Sequence, residues 1–298
     1  MKILLATHYG MCFGVRDALR ATHNAAKAAP VTILGQLVHN PVVDQHLRTL
    51  GVKQGALEGA PAAETQHVVI TAHGASNRQR QEWQGAGYVV TDTTCPLVRK
   101  AHDCLASLVE AGYAPVVIGE AGHTEVKGLT GDFAGASVVL TEEHVQHLPF
   151  SAKIGVISQT TQPLLRVLGL VEKIKARHPG AEVRYMDTVC HPTKQRQAAL
   201  EDLCRQCQVL IVVGGKNSNN TRQLVESARR LGVEAHQVER ANEVDGEWIA
   251  RRECVGVTAG TSTLDETVRA VVDQIEKLHR DQSSRSVLES LIAVGRRS

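Results

Sequence analysis

Asp92-Thr93-Thr94-Cys95-Pro96 recurs in altered form as Asp187-Thr188-Val189-Cys190-His191-Pro192. Each copy follows an apolar, β-branched run, residues 88–91 in one case and 182–186 in the other, and each precedes a helical pattern. A strand, a short polar loop with a cysteine, then a helix, met twice, predicts repeated α/β units built on parallel sheets. A third cysteine, Cys12, stands in the same kind of loop after the run 2–7, so the chain offers one such cysteine per third of its length. Three thiolates brought to one point by three similar units make a three-cornered metal site with one corner open, and an open corner is where metal chemistry takes place.

A cysteine taken singly is more often a small buried hydrophobe than a ligand, and the other four read that way. Cys104 continues the helical stripe Leu97, Ala101, Cys104, Leu105, Leu108, and Cys254 precedes the apolar run Val255-Gly256-Val257. Cys204 and Cys207 form a CxxC, the spacing of a redox pair or half a zinc site. They end the helical pattern Leu200, Leu203, Cys204, Cys207 and run into a strand at 209–213, with no second CxxC to complete a zinc site. All four are expected in the core.

The chain has 298 residues, room for two or three compact units. Its 43% hydrophobic and 21% charged residues suit a soluble globular protein, and a net charge of +2 argues against a nucleic-acid or membrane partner. Three Phe, four Tyr and two Trp are too few for a base-stacking surface. The N-terminus lacks a signal-peptide apolar region, and no apolar run is long enough to span a bilayer. Seven cysteines without a regular framework predict reduced thiols and a cytoplasmic location.

Outward from the cysteine loops, strand-like runs alternate with helical patterns. Strands are expected at 2–7, 31–34, 67–71, 88–91, 114–118, 137–140, 153–158, 182–186, 209–213, 233–237 and 254–258. Helices are expected at 15–28, 96–111, 164–177, 193–206, 222–231 and 264–280. The loops that leave the strands carry the polar chemistry: His8–Cys12, Ala72–Ser76, Gly122–Glu125, Ser158–Thr161, Gly214–Asn220 and Ala259–Ser262. In open α/β sheets ligands bind beyond the carboxyl ends of the strands. Loops rich in His, Ser, Thr, Asn and Gly suit a small anion there, although each Ser or Thr alone serves equally as a helix cap. There is no GxGxxG after a strand and no GxxxxGK[ST], so neither a nicotinamide cofactor nor ATP is indicated. His123-Thr124-Glu125 has the HxE spacing of zinc deaminases, but Leu203 precedes Cys204 where that class needs proline.

Taken together the motifs resemble the LytB/IspH family over nearly the whole chain. They are Gly10-Met11-Cys12-Phe13-Gly14-Val15, Gly35-Gln36-Leu37-Val38-His39-Asn40, Ala72-His73-Gly74, Thr94-Cys95-Pro96-Leu97-Val98 and Gly122-His123-Thr124-Glu125-Val126. Ser158-Gln159-Thr160-Thr161, Cys190, Lys216-Asn217-Ser218-Asn219-Asn220 and Val257-Thr258-Ala259-Gly260-Thr261-Ser262 follow in the family's order. The resemblance implies a trefoil of three pseudo-symmetric α/β units, residues 11–94, 95–188 and 1–10 plus 189–282, around a central iron–sulfur cluster, with 283–298 as a C-terminal tail. It implies that Cys12, Cys95 and Cys190 hold a [4Fe–4S] cluster with one iron lacking a protein ligand. His39, His73, His123, Ser218, Asn219, Asn220 and Ser262 fall on diphosphate-binding positions, and Gln159, Thr160 and Glu125 near a departing hydroxyl. Thr124, Asn219, Leu264 and Phe13 depart from the family's commonest residues. The implied reaction is reductive dehydroxylation of (E)-4-hydroxy-3-methylbut-2-enyl diphosphate to isopentenyl and dimethylallyl diphosphate, the last step of the non-mevalonate isoprenoid pathway.

The residues suit that chemistry. Hydroxide leaves badly, so a proton must arrive as the C–O bond breaks, and Glu125 is the candidate donor, with Thr160 beside it. Histidines that can charge near neutral pH neutralise a diphosphate without a permanent basic patch. Without a flavin or nicotinamide motif, electrons must come from a separate protein such as a ferredoxin or flavodoxin. The alternatives are an open-iron hydro-lyase, which needs no reductant, a paralogue acting on another allylic diphosphate, and a non-catalytic binding module. The tail carries Val287, Leu288, Leu291 and Ile292, which leaves open a packed helix or a disordered end.

Overall fold

The computed structural model describes residues 1–38 and 40–295, with side chains described as far as residue 284. Along the chain run β1 (Lys2–Leu5), α1 (Phe13–Ala28), β2 (Val31–Leu34), α2 (Pro41–Thr49), β3 (Lys53–Gly55), β4 (His67–Ile70), α3 (Asn77–Gly85) and β5 (Val89–Asp92). Next come α4 (Pro96–Glu110), β6 (Ala114–Ile118), α5 (Thr124–Thr130), β7 (Ser137–Val139), α6 (Glu142–Gln146), β8 (Lys153–Ser158), α7 (Leu164–Arg177) and β9 (Glu182–Tyr185). The last are α8 (His191–Cys204), β10 (Val209–Val213), α9 (Asn219–Arg230), β11 (Glu234–Val238), α10 (Gly246–Ile249), β12 (Cys254–Ala259) and α11 (Asp265–Gly295).

The fold class is α/β, as expected. The strands form three four-stranded sheets, ordered β3-β2-β4-β5, β7-β6-β8-β9 and β1-β12-β10-β11, and every pairing is parallel. By packing the chain divides into two compact units, Met1–Met11 with Gln195–Ser298, and Cys12–Lys194. The first unit carries one sheet and the second carries two.

In the first unit β10 shows why these residues make a central strand. All five are buried, and successive side chains point to opposite faces. Val209, Ile211 and Val213 pack with Val268, Val271 and Ile275 of α11, while Leu210 and Val212 pack with Leu200 and Leu203 of α8 and Leu224 of α9. A strand covered on both faces by helices reads as a continuous apolar run, which is how it stands in the sequence. Cys204 and Cys207 lie in this core and Cys254 packs against it, as expected.

In the second unit β8 repeats the arrangement, with Ile154 and Val156 toward α7 and Ile157 toward α4. Gly155 lets α4 lie close, since a Cβ there would come within 2.9 Å of Leu108 Cβ and Tyr113 Cβ. Cys104 packs against the α4 core, again as expected. In the sheet β3-β2-β4-β5, Leu34, Val68 and Ile70 pack on the fully buried Trp83 of α3.

Differences from the expected elements are informative. Helix α3 was not anticipated because its sequence is polar; a capping box between Ser76 and Gln79 starts it instead. Residues 124–130 form α5, started by His123, so Glu125 sits in a first helical turn and not in a loop. Helix α9 begins at Asn219, not at 222, because Ser218 caps it. Helix α11 runs on to Gly295, well beyond 280, while the side chains of Val287, Leu288, Leu291 and Ile292 lie outside the described residues. Among the described residues no helix is long and apolar enough to cross a membrane.

Candidate active site

Cys12, Cys95 and Cys190 occupy the same structural position. Each immediately precedes a helix, α1, α4 or α8, and its carbonyl accepts a bond from the first turn: Arg16 N–H for Cys12, Val98 and Arg99 N–H for Cys95, Thr193 and Lys194 N–H for Cys190. A helix N-terminus carries partial positive charge and favours an anionic group such as a thiolate. Neither Cys12 nor Cys95 spends its side chain on a cap hydrogen bond, so both sulfurs stay available as ligands.

The two similar loops match bond for bond. Asp92 Oδ1 accepts from Thr94 N–H at 2.9 Å, and Asp187 Oδ1 from Val189 N–H at 3.1 Å. Thr93 Oγ1 donates to Ile70 O at the end of β4, and Thr188 Oγ1 to Ser158 O at the end of β8, each over 2.6 Å. The amide of Cys95 donates to Ala72 O and that of Cys190 to Thr160 O. A cation closes each loop, Arg99 on Asp92 and Lys194 on Asp187. The repeat in the sequence is therefore a repeat in three dimensions. Asp turns fix the loops, and each cysteine is tied to the loop after the neighbouring strand.

Cys12 lies within electrostatic reach of both Cys95 and Cys190. Burial pushes the Cys95 thiol up, the amides of Leu97 and Val98 pull it back, and the charges of Cys12 and Glu125 raise it further. Burial pushes Cys190 up to about 11, Thr193 opposes this, and Glu125 and Cys12 again add to it. Gly14 secures the approach of α1, because a Cβ there would lie 2.5 Å from Cys95 Sγ. Among the described residues no three His, Cys, Asp or Glu side chains are placed to hold one metal ion.

Glu125 is 2% exposed, and burial raises its carboxyl to about 7 against the hydrogen bonds from Thr160. The Thr160 amide donates to Glu125 Oε1 at 2.6 Å, and the Thr160 carbonyl holds Cys190, so one residue links the carboxyl to a cysteine loop. His123 Nδ1 accepts from Glu125 N–H at 3.1 Å, and its ring lies edge-on to His73 with centroids 5.3 Å apart. Gln159 is fully buried: its Oε1 accepts from Glu120 N–H and Gln162 Nε2, and its Nε2 donates to Thr161 Oγ1. Its side chain thus holds the loops after β6 and β8 together. His73 also borders a cavity of about 260 Å³ with Arg80 and Arg99, which pair with Asp92, and His102, whose Nε2 lies 2.9 Å from Asp132 Oδ2.

The remaining expected residues lie at the carboxyl ends of β10 and β12 in the first unit. Ser218 caps α9 by accepting from Thr221 N–H, and Asn220 Oδ1 accepts from Thr261 N–H at 3.0 Å. Asn219 is 6% exposed with its Nδ2 unsatisfied, and the buried Thr221 Oγ1 is unsatisfied as well. Two buried donors without acceptors cost free energy unless a ligand completes them. Ser262 is buried in the loop after β12. His39 lies outside the described residues. Thr221 and Thr193 were missed from sequence, the first because its loop already offered three polar residues. Thr193 could have been found by counting three residues on from each cysteine.

The model of the family described as LytB protein matches residues 3–276. The chain belongs to the LytB family. It is 36% identical over 285 residues to 4-hydroxy-3-methylbut-2-enyl diphosphate reductase of Geotalea uraniireducens, covering 95% of this chain and all of that protein. The protein of the same name from Xanthomonas axonopodis pv. citri is 36% identical over 292 residues, covering 93% of this chain and 91% of the relative. The E-1-hydroxy-2-methyl-but-2-enyl-4-diphosphate reductase structure from Plasmodium falciparum aligns with a TM-score of 0.85 at 26% identity, over 91% of this chain and 87% of that one. A structure of (E)-4-hydroxy-3-methyl-but-2-enyl diphosphate reductase, described as the terminal enzyme of the non-mevalonate pathway, aligns at 0.65 and 32% identity, over 93% of this chain and all of its own. As a LytB protein the chain is an iron–sulfur oxidoreductase. Its donor set suits such a centre: three thiols at helix N-termini, two of them high enough in pKa to stay protonated until a metal displaces the proton.

Proposed function

We propose that this LytB protein removes the allylic hydroxyl of (E)-4-hydroxy-3-methylbut-2-enyl diphosphate, giving isopentenyl and dimethylallyl diphosphate in the last step of the non-mevalonate isoprenoid pathway. The observation that carries the reading is a buried carboxyl, Glu125, raised to about 7 and close enough to Cys95 and Cys190, each at the start of a helix, for its charge to act on both thiols. The conversion consumes two electrons and two protons, breaks the C–O bond and releases water. Cys12, Cys95 and Cys190 would hold a [4Fe–4S] cluster with one iron free of protein ligands, which supplies electrons and a Lewis acid.

The chain's residues do the rest. Near neutral pH Glu125 keeps its proton for the departing hydroxyl, and the Thr160 amide and hydroxyl stabilise the carboxylate left behind. The catalytic pair is therefore Glu125 and Thr160. His39, His73 and His123 meet the negative charge of the diphosphate, Ser218, Asn219, Asn220 and Ser262 donate hydrogen bonds to it, and Gln159 shapes the loop that presents Thr160. The unsatisfied Nδ2 of Asn219 supports this, since a diphosphate oxygen would complete it.

Electrons arrive from a separate donor protein, a ferredoxin or flavodoxin. Reduced thiols and a cytoplasmic setting fit a centre of this kind. The three sheets support the expected division into 11–94, 95–188 and 1–10 plus 189–282. The test is anaerobic purification, iron and sulfide analysis, and assay of the allylic diphosphate with a reduced viologen dye. Reductant consumed with formation of both products supports the reading. Product without reductant consumption would make the chain a hydro-lyase.

A further inference from the structure

The three cysteines are equivalent in place, yet the residue three positions on differs. That position faces the residue before the helix, which is why capping boxes close there. It holds Val15 in α1, Val98 in α4 and Thr193 in α8. Thr193 is 1% exposed, and its Oγ1 lies 3.1 Å from Cys190 Sγ. The Thr193 amide acts on the same sulfur, but any residue except proline supplies an amide there. The hydroxyl is what the sequence adds.

We propose that Thr193 tunes the reduction potential of the iron–sulfur centre through a hydroxyl bond to the Cys190 sulfur, making Cys190 the electron-poorest of the three ligands. The inference rests on the reading that the three cysteines hold the cluster. A metal-bound thiolate carries no proton, so the Thr193 hydroxyl must be the donor. Its bond withdraws electron density from the sulfur and stabilises the more negative, reduced state, which raises the potential. The side chains of Val15 and Val98, at the matching positions, carry no hydroxyl to donate to a sulfur. Three cysteines in like positions thus acquire an electronic asymmetry from one side chain, and one-electron uptake from the donor protein becomes easier.

The test is a redox titration followed by electron paramagnetic resonance on the anaerobically prepared holoenzyme, with iron and sulfide counted per chain. Thr193→Val should retain the cluster and lower its potential. The reduced-to-oxidised ratio at fixed poise should fall about threefold, which is ~30 mV at 59 mV per tenfold for one electron. Thr193→Ser should keep the native potential, and Val98→Thr, which brings a hydroxyl to Cys95, should raise it. A native potential in Thr193→Val with a full cluster overturns the proposal, as does a Ser variant shifted as far as Val. If Thr193→Val cannot hold the cluster, Val98→Thr decides, and no upward shift there overturns it. A wild-type protein with no iron–sulfur signal removes the underlying reading instead.

Discussion

The backbone N–H of Thr160 donates to Glu125 Oε1 over 2.6 Å, while the Thr160 carbonyl accepts from the amide of Cys190. One residue therefore ties the acid to the Cys190 loop through its own peptide groups. The arrangement survives any side-chain change at 160 except proline. What a change at 160 removes is the hydroxyl, which steadies the charged form of Glu125.

Glu125→Gln keeps the shape and the bond from Thr160 but loses the transferable proton. Turnover should fall by roughly 10²–10⁴ with cluster content and substrate affinity near native. A loss of activity that merely tracks a loss of iron would assign Glu125 a structural role.

The pH dependence follows from the same group. Burial raises Glu125 from 4.5 to about 7, so the folded state holds its proton more tightly than the unfolded state does. The stability this contributes is full below pH 4.5 and is lost as pH rises through 7. Glu125→Gln cannot ionise, so its unfolding midpoint in urea should lack that decline. Wild-type turnover should fall above pH 7 as the acid empties, and an activity rising from pH 7 to 8.5 contradicts the assignment.

Gly14→Ala tests the approach of α1 to Cys95. Alanine is ordinarily better than glycine inside a helix by roughly 0.5–1 kcal/mol. Here its Cβ would fall 2.5 Å from Cys95 Sγ. The variant should fold, keep its far-ultraviolet circular dichroism and bind less iron. Native iron content would show that this contact does not shape the cysteine site.

Asn219 and Ser218 should separate binding from stability. Asn219 Nδ2 is unsatisfied, so Asn219→Ala should leave the thermal midpoint unchanged or raised while weakening diphosphate binding by about 1.5–3 kcal/mol. Ser218 caps α9, so Ser218→Ala should weaken binding and also cost about 0.5–2 kcal/mol of stability. Calorimetry with inorganic diphosphate and thermal melts of both variants read the two effects. Equal affinity in both would remove the loop after β10 from the site.

Much of this was legible in the sequence. Continuous apolar runs such as Val209–Val213 gave the buried strands, and the Asp-Thr-x-Cys repeat gave two loops that match down to single hydrogen bonds. What escaped was set by capping rather than hydrophobic pattern. Helix α3 carries a single apolar residue with a large side chain, Trp83, and α5 is seven residues long, so neither carries enough apolar periodicity to be read. The edge strand β3, Lys53–Gly55, has two exposed polar residues and a glycine, with nothing β-branched to mark it. Within the site, residue identities pointed to Glu125 and the cysteines. Burial raises Glu125 to about 7 against the hydrogen bonds of Thr160, 35 residues away in sequence, and only folding brings these together.

The central claim is that Cys12, Cys95 and Cys190, and no other cysteines, hold an iron–sulfur centre that drives reductive loss of the hydroxyl. Its most direct test is iron and acid-labile sulfide per chain in seven single Cys→Ser variants prepared without oxygen, each then assayed with reduced dye and the allylic diphosphate. The account predicts that the Cys12, Cys95 and Cys190 variants lose the cluster and turnover together, while the Cys104, Cys204, Cys207 and Cys254 variants keep both. A full cluster in any of the first three, or stoichiometric zinc without iron in the wild type, would contradict it.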